Sequence, residues 1–275
     1  IWKLLPFAAC LFLSITPTVT EVVDSMSACD RFLLQGTPPL VPGVLEGGIN
    51  QDPRRYKTIC QTFRNQQRFV TLYDTQNRIP VFSAYKYRGV GGGRRPNTKW
   101  RIELEGFHHQ AINSDYTNNN RGYNRGHLFP SSHALSQDDK ISTFTLTNVV
   151  PQAVTFNDGS WKNMESCVQC VLNKFCIDNN KVLEGFVVTG ARPSRNNALK
   201  ERVNIPSVLW SAFCCYSNNR NTWLASAHWG NNVPDGPESE YLETKTLDDL
   251  HRELRFEMFP GTPLNNQINH NMSVN

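Results

Sequence analysis

The sequence predicts an α+β protein built on a mostly antiparallel central sheet, with strands outnumbering helices. Three observations carry this expectation. KVLEGFVVTGARP (181–193), VLWSAFCCY (208–216) and TWLASAHWG (222–230) are strongly β-prone runs set close together. RFVTLYDTQNRIPVFSAYKY (68–87) holds two more such runs joined by a DTQNR turn, which reads as a hairpin. Between these groups, Trp161, Met164, Val168, Val171, Leu172 and Phe175 recur at intervals of three and four, the period of one helix face.

In chain order, residues 1–20 carry Lys3 and an apolar run over about 4–15, followed by small and hydroxyl residues. That run is short for a bilayer span and has the pattern of a secretory signal peptide, with cleavage expected near Glu21. Residues 25–53 are rich in Pro and Gly and read as an irregular entry segment. After the hairpin comes GVGGGRRPNTKW (89–100), a glycine-rich loop carrying Arg94 and Arg95. It lacks the spacing and the strand-to-helix setting of a P-loop, which excludes nucleoside-triphosphate binding there and leaves a mobile surface loop as the expectation.

SDYTNNNRG (114–122) is almost wholly polar, and His127 is expected in the loop that follows. In ISTFTLTNVVPQ (141–152), Phe144 and Leu146 alternate with Thr143, Thr145 and Thr147, which is strand periodicity. The helix after it has Asn157, Asp158 or Ser160 available to cap its start. TKTLDDLHREL (244–254) predicts a short amphipathic helix with Leu247, Leu250 and Leu254 on one side and a Thr246/Asp249 capping box. One domain over 21–260 is expected, with a loose tail over 261–275 that contains a glycosylation sequon at Asn271. No stretch after the leader is apolar and long enough for a transmembrane helix.

A hydrophobic content of 39% over 275 residues supplies a full core. The net charge of +4 suits a polyanionic partner but is far from a dense basic patch, so charge decides nothing alone. Of eight cysteines, Cys10 falls in the leader; most of the other seven are expected to pair in an oxidising compartment, leaving one free or intermolecular. A zinc site in CVQCVLNKFC (167–176) lacks a second ligand pair at matching spacing, and Cys214 and Cys215 in a strand point to opposite faces.

The chemistry concentrates between His127 and Glu165. An imidazole at 127, a carboxamide at 157 and a carboxylate at 165 supply what phosphodiester hydrolysis requires. One group takes a proton from water, and a hard cation neutralises charge on the phosphorane and the leaving oxygen. Trp161 and Glu165 follow Asn157 by four and eight residues, which puts all three near one helical face. Magnesium keeps most of its water, so one neutral Asn suffices if a neighbour such as Glu165 holds the coordinated waters. His108, His109, His133 and His228 are expected to have no role.

With RGH at 125–127, TNVVPQ at 147–152 and NDGSWKNME at 157–165, the segment resembles the DNA/RNA non-specific endonucleases, the ββα-metal nucleases. Within that family it looks most like the secreted endonuclease domain-containing 1 proteins. The resemblance implies a ββα-metal finger motif, with His127 as general base and Asn157 as the sole direct protein ligand of Mg²⁺. It also implies that Glu165 holds a metal-bound water, Asn148 orients the site and Arg125 lies near the phosphate; Arg94 and Arg95 become candidates for contacting substrate. DNA and RNA would be the partners, held through phosphates. Two positions depart from the pattern: Asn124 stands where most members have Asp, and Gln169 where some carry a phosphate-binding arginine; Arg94, Arg95 or Arg121 could compensate.

The sequence therefore points to a secreted, Mg²⁺-dependent, sugar-non-specific endonuclease. The alternative on the same fold is a catalytically weakened nucleic-acid-binding or interaction protein. A disulfide-rich structural domain would account for the cysteines but not for the linked motif.

Overall fold

The computed structural model describes residues 21–103 and 109–262. The expected leader over 1–20, His108 and the Asn271 sequon lie outside the described residues. Nine strands of three or more residues are described. They are β1 Glu21–Val23, β2 Tyr56–Phe63, β3 Gln66–Asp74, β4 Ile79–Tyr87, β5 Tyr123–His127, β6 Val149–Ala153, β7 Gly185–Arg192, β8 Val208–Ser217 and β9 Thr222–Asn231. The helices are α1 Asn113–Tyr116, α2 Gln137–Ser142, α3 Val154–Asp158, α4 Ser160–Phe175 and α5 Leu247–Leu254.

Seven strands form one antiparallel sheet in the order β1-β2-β3-β4-β7-β8-β9. The 68–87 hairpin is present, closing with Asp74 opposite Ile79. The three late runs form β7, β8 and β9, and α5 begins behind Thr246, whose side chain accepts from the amide of Asp249. β2 has no counterpart in the sequence expectations. Its alternation of Tyr, Thr, Cys and Thr with Lys, Ile, Gln and Phe hides a strand buried mostly on both faces.

Side chains alternate across the sheet and build two cores. Phe69, Tyr85, Tyr87, Leu209, Phe213 and Cys215 face the side covered by β5, β6 and α4. Val70, Leu72, Phe82, Ala84, Trp210 and Cys214 face the other side, covered by α5 and by short 3-10 turns over Met26–Phe32. Two disulfides bind the covers to the sheet. Cys29–Cys60 holds the 3-10 segment to β2, and Cys176–Cys215 holds the end of α4 to β8. They close loops of 31 and 39 residues, and chain entropy makes each worth about 4 kcal/mol. Among the described residues, Cys167, Cys170 and Cys214 remain unpaired, so three thiols are free rather than one. Cys214 lies on the sheet face opposite Cys215, as strand alternation requires, while Cys167 and Cys170 sit on the exposed side of α4.

Three local expectations are corrected. His127 ends strand β5, which pairs antiparallel with β6, and is not in a loop. The strand expected over 141–152 begins only at Val149; Leu146–Asn148 is a 3-10 turn, with the Asn148 amide donating to the Thr145 carbonyl. Its Thr and Phe side chains are buried on both sides, which mimics a strand's alternation. None of Asn157, Asp158 or Ser160 caps α4 with its side chain. The helix is interrupted at Gly159 (φ −107°, ψ −114°), and Asn157 belongs to α3.

Gly190, in the sheet interior, shows how tightly these layers meet. A Cβ there would lie 2.3 Å from the Val81 carbonyl oxygen and 2.3 Å from Trp210 Cζ2. We expect Gly190→Ala to cost about 1–3 kcal/mol of unfolding free energy in denaturant titrations. Gly92→Ala, with nothing within 4 Å of its Cβ position, should shift it by less than about 0.5 kcal/mol.

Candidate active site

β5, β6, α3 and α4 pack on the first face of the sheet, and β5, α3 and α4 line an open cavity of about 450 Å³ together with the glycine-rich loop, residues 130–132 and Lys140. His127, Arg125, Asn157, Glu165 and Arg95 line it; Arg94 and Asn148 do not. β5 delivers Arg125 and His127 to one side because residues two apart in a strand share a face. Gly126 between them has its other face closed by Gln152, whose Oε1 would lie 2.0 Å from an added Cβ.

The chain leaving His127 is clamped by Asn148. This fully buried carboxamide accepts from the amide of Phe129 (3.0 Å) and donates to the carbonyls of Phe129 (3.1 Å) and Thr143 (3.0 Å). The His127 ring packs against Trp100 and Phe144 in a three-ring cluster, with centroids at 5.1 and 5.0 Å, and its Nε2 is buried with no hydrogen-bond partner among the described residues. Burial, assisted by the charge of Arg95, pushes its pKa down to about 3, so the imidazole is neutral and able to accept a proton throughout the physiological range.

Asn157 donates from Nδ2 to Asn124 Oδ1 at 3.0 Å. That bond fixes the amide and leaves its Oδ1 as an acceptor with no hydrogen bond from the described residues. The departure at Asn124 therefore keeps the acceptor that orients Asn157, while lacking a carboxylate's charge. The geometry suits a hard cation at Asn157 Oδ1. Among the described residues no group of three His, Cys, Asp or Glu could hold a metal, so a cation here would keep most of its water.

Glu165 is held twice. Its Oε1 accepts from Trp161 Nε1 at 3.0 Å, and its backbone carbonyl accepts from His133 Nε2 at 3.0 Å. The second bond fixes the tautomer of His133, whose Nδ1 then accepts from the Tyr85 hydroxyl at 2.9 Å. His133, expected to have no role, thus ties the second turn of α4 to the sheet. Desolvation raises the Glu165 carboxyl to about pH 8 in the absence of any cation, with the Trp161 bond opposing the shift.

Asp235, Lys140 and Arg125 shape the site through contacts distant in sequence, and Lys162 adds to its rim. Asp235 accepts from the amide (2.7 Å) and hydroxyl (2.9 Å) of Ser160, capping α4 from the loop after β9. An added Cβ at Gly159 would stand 2.5 Å from both Asp235 Oδ2 and the Thr155 carbonyl. Lys140 is buried and donates to the carbonyls of Gly91, Gly92 and Gly93, docking the loop expected to be mobile. Arg125 lies between Trp100 and Tyr116, 5.4 Å from each ring centre, and donates to Asn113 Oδ1 at 2.6 Å. Lys162, exposed on α4, also lines the cavity. Arg125 stands out in the RGH motif; of Asp235, Lys140 and Lys162, only Lys162 carries a local signal in the sequence, its place one turn before Glu165.

The histidines and Glu165 give opposite pH dependences. His127, His133 and His228 hold pKa values of about 3, 4 and 4 against an ordinary 6.5. Below 6.5 the unfolded chain binds protons that the native state refuses, so stability falls with falling pH. Glu165 keeps its proton up to about 8 against an ordinary 4.5, so its contribution is lost as pH rises through 8. In chelator, the melting temperature should rise from pH 4.5 to 6.5 and decline from about pH 7 to 8.5. Glu165→Gln should flatten the alkaline decline and steepen the acid limb, because from about pH 4.5 upward the raised Glu165 carboxyl opposes the histidine-driven rise.

The model of the DNA/RNA non-specific endonuclease family matches residues 52–255. The chain is 32% identical over 263 residues to the endonuclease domain-containing 1 protein of Homo sapiens, covering 86% of this chain and 47% of that one. It is 31% identical over 135 residues to mitochondrial endonuclease G of Bos taurus, covering 46% of this chain and 44% of that one. The chain thus spans about half the length of these curated relatives. A solved EndoG/EndoGI complex contains a chain of like fold, with a TM-score of 0.57 at 20% identity over 71% of this chain and 84% of that chain.

Proposed function

The chain belongs to the DNA/RNA non-specific endonuclease family, and on that premise we propose that it is a Mg²⁺-dependent endonuclease hydrolysing phosphodiester bonds in DNA and RNA. One observation carries the reading. The neutral His127 ring and the oriented Asn157 carboxamide open onto a single cavity with Glu165, Arg95 and Arg125.

His127 takes the proton of an attacking water. A base of low pKa is weak, but the negative charge of an arriving phosphodiester raises it toward the range where proton transfer is efficient. Asn157 Oδ1 would hold the divalent cation directly, and the unpartnered oxygen of Glu165 would order its water. When bound, that cation supplies Lewis-acid neutralisation of the charge on the leaving oxygen. Arg125, rigid between two rings, places a fixed positive charge beside the phosphate. Asn148 acts as a positioning residue, holding the backbone behind His127. Contacts of this kind recognise phosphates and not bases, which fits a substrate range of either sugar. Arg94 is exposed and outside the cavity, so its proposed contact would be with a more distant phosphate.

Two disulfides in the fold and the signal-like leader support export to an oxidising, extracellular compartment. No helix among the described residues is long and apolar enough to cross a membrane. The second reading, binding with weakened catalysis, has one specific support. Gln169 donates to the Ser132 carbonyl at 2.9 Å and offers the cavity no cation.

Plasmid digestion in Mg²⁺ should stop on chelation and be lost in His127→Ala with the circular dichroism spectrum unchanged; undiminished cleavage by that variant would sink the assignment. Nucleic-acid binding without any metal-dependent nicking would favour the second reading. Asn124→Leu, which removes the acceptor for Asn157, should raise the Mg²⁺ concentration needed for half-maximal rate about 10- to 100-fold. Asn124→Asp should lower it by restoring a charge.

A further inference from the structure

Four cations line the cavity, and the structure shows which are free to take a phosphate. Lys140 is committed to three glycine carbonyls, at 3.0, 3.4 and 3.2 Å. Arg125 is fixed by Asn113 and two aromatic rings, with its Nε left unpartnered, so its charge can serve only the phosphate at His127 and cannot reach a neighbouring one. Arg95 projects from the glycine-rich loop over Phe144. Lys162 projects from α4, is exposed, and its ammonium has no hydrogen bond or ion pair among the described residues.

The other basic residues that could serve here are elsewhere. Arg121 donates to the Ala198 carbonyl and to Asn197 Oδ1, both at 2.7 Å, and Arg94 does not line the cavity. On α4 itself, Lys162, Glu165 and Gln169 follow one another at helical spacing toward the cavity, and Gln169 is turned to the Ser132 carbonyl.

Resting on the endonuclease reading, we infer that Lys162 is a substrate-binding residue, gripping the phosphate that adjoins the one held at His127 and Asn157. A lysine ammonium on a four-carbon stem is a mobile point charge, suited to a flanking phosphate whose place shifts with the shape of the strand. Such a contact strengthens substrate binding without acting on the bond being cut, so it sets KM and leaves kcat alone.

The test uses the full chain carrying His127→Ala, so that no substrate is cut. Binding of short duplex and single-stranded DNA is followed by fluorescence anisotropy across a salt series. Lys162→Gln should weaken binding and reduce the slope of log affinity against log salt by about 0.9 for duplex and about 0.7 for single strands, one phosphate's worth. Arg54→Gln removes the same charge outside the cavity and should leave the slope unchanged. In the cleaving chain, Lys162→Gln should raise KM several-fold with kcat within twofold. An unchanged slope for Lys162→Gln, an equal loss in Arg54→Gln, or a fall in kcat at constant KM overturns the inference while the endonuclease reading stands. A parent chain that binds neither form of DNA overturns both.

Discussion

The hydrogen bonds from Ser160 to Asp235 decide where α4 begins, and the site depends on that point. Asn157 precedes the interruption at Gly159 and Glu165 follows it, so their relation is set by the closure and not by one continuous helix. The closure is reciprocal. Asp235 receives the amide and hydroxyl of Ser160, and its own amide donates to Thr155 Oγ1 at 3.0 Å. An anionic side chain also meets the positive end of the helix dipole there. Only a residue without Cβ leaves room for this approach, which gives the glycine of the NDGSW segment a physical reason.

The cavity is a place where charge is suppressed until partners arrive. His127 is kept neutral by burial and Arg95, and Glu165 is kept protonated by desolvation. Both shifts run against the charged forms, so an incoming phosphodiester and a divalent cation would each meet an environment that strengthens their attraction. Arg125 is already partly desolvated between Trp100 and Tyr116, and less of its hydration must be removed on contact.

The sequence carries the elements that are one-sided or continuously β-prone and apolar, and the residues whose spacing is local. β7, β8, β9 and α5 follow from patterning, and the opposed faces of Cys214 and Cys215 follow from strand geometry. Where a buried segment is rich in Thr and Gln the pattern misleads: Thr143–Thr147 looks like a strand and turns, while β2 is a strand and looks like nothing in particular. The family motif brings out His127, Asn157 and Glu165, but their supports come from far along the chain. Asp235 is 75 residues from Ser160, and Tyr85 is 48 from His133, with no local signal at either end. Lys140 is similarly invisible, because its role depends on a glycine loop 47 to 49 residues earlier.

The fastening of α4 has a mechanical consequence. The helix is anchored at its start by Asp235, at its second turn by His133 and just past its end by the Cys176–Cys215 bridge. A beam fixed at three points neither slides nor tilts, so the backbone around the cavity is a rigid jig. Compliance is left to the long side chains at the rim, Lys162 and Arg95. Under the proposed activity, division of labour between a stiff centre and an adaptable edge would let one cavity accept strands of different helical form, because accurate placement would be needed only at its floor.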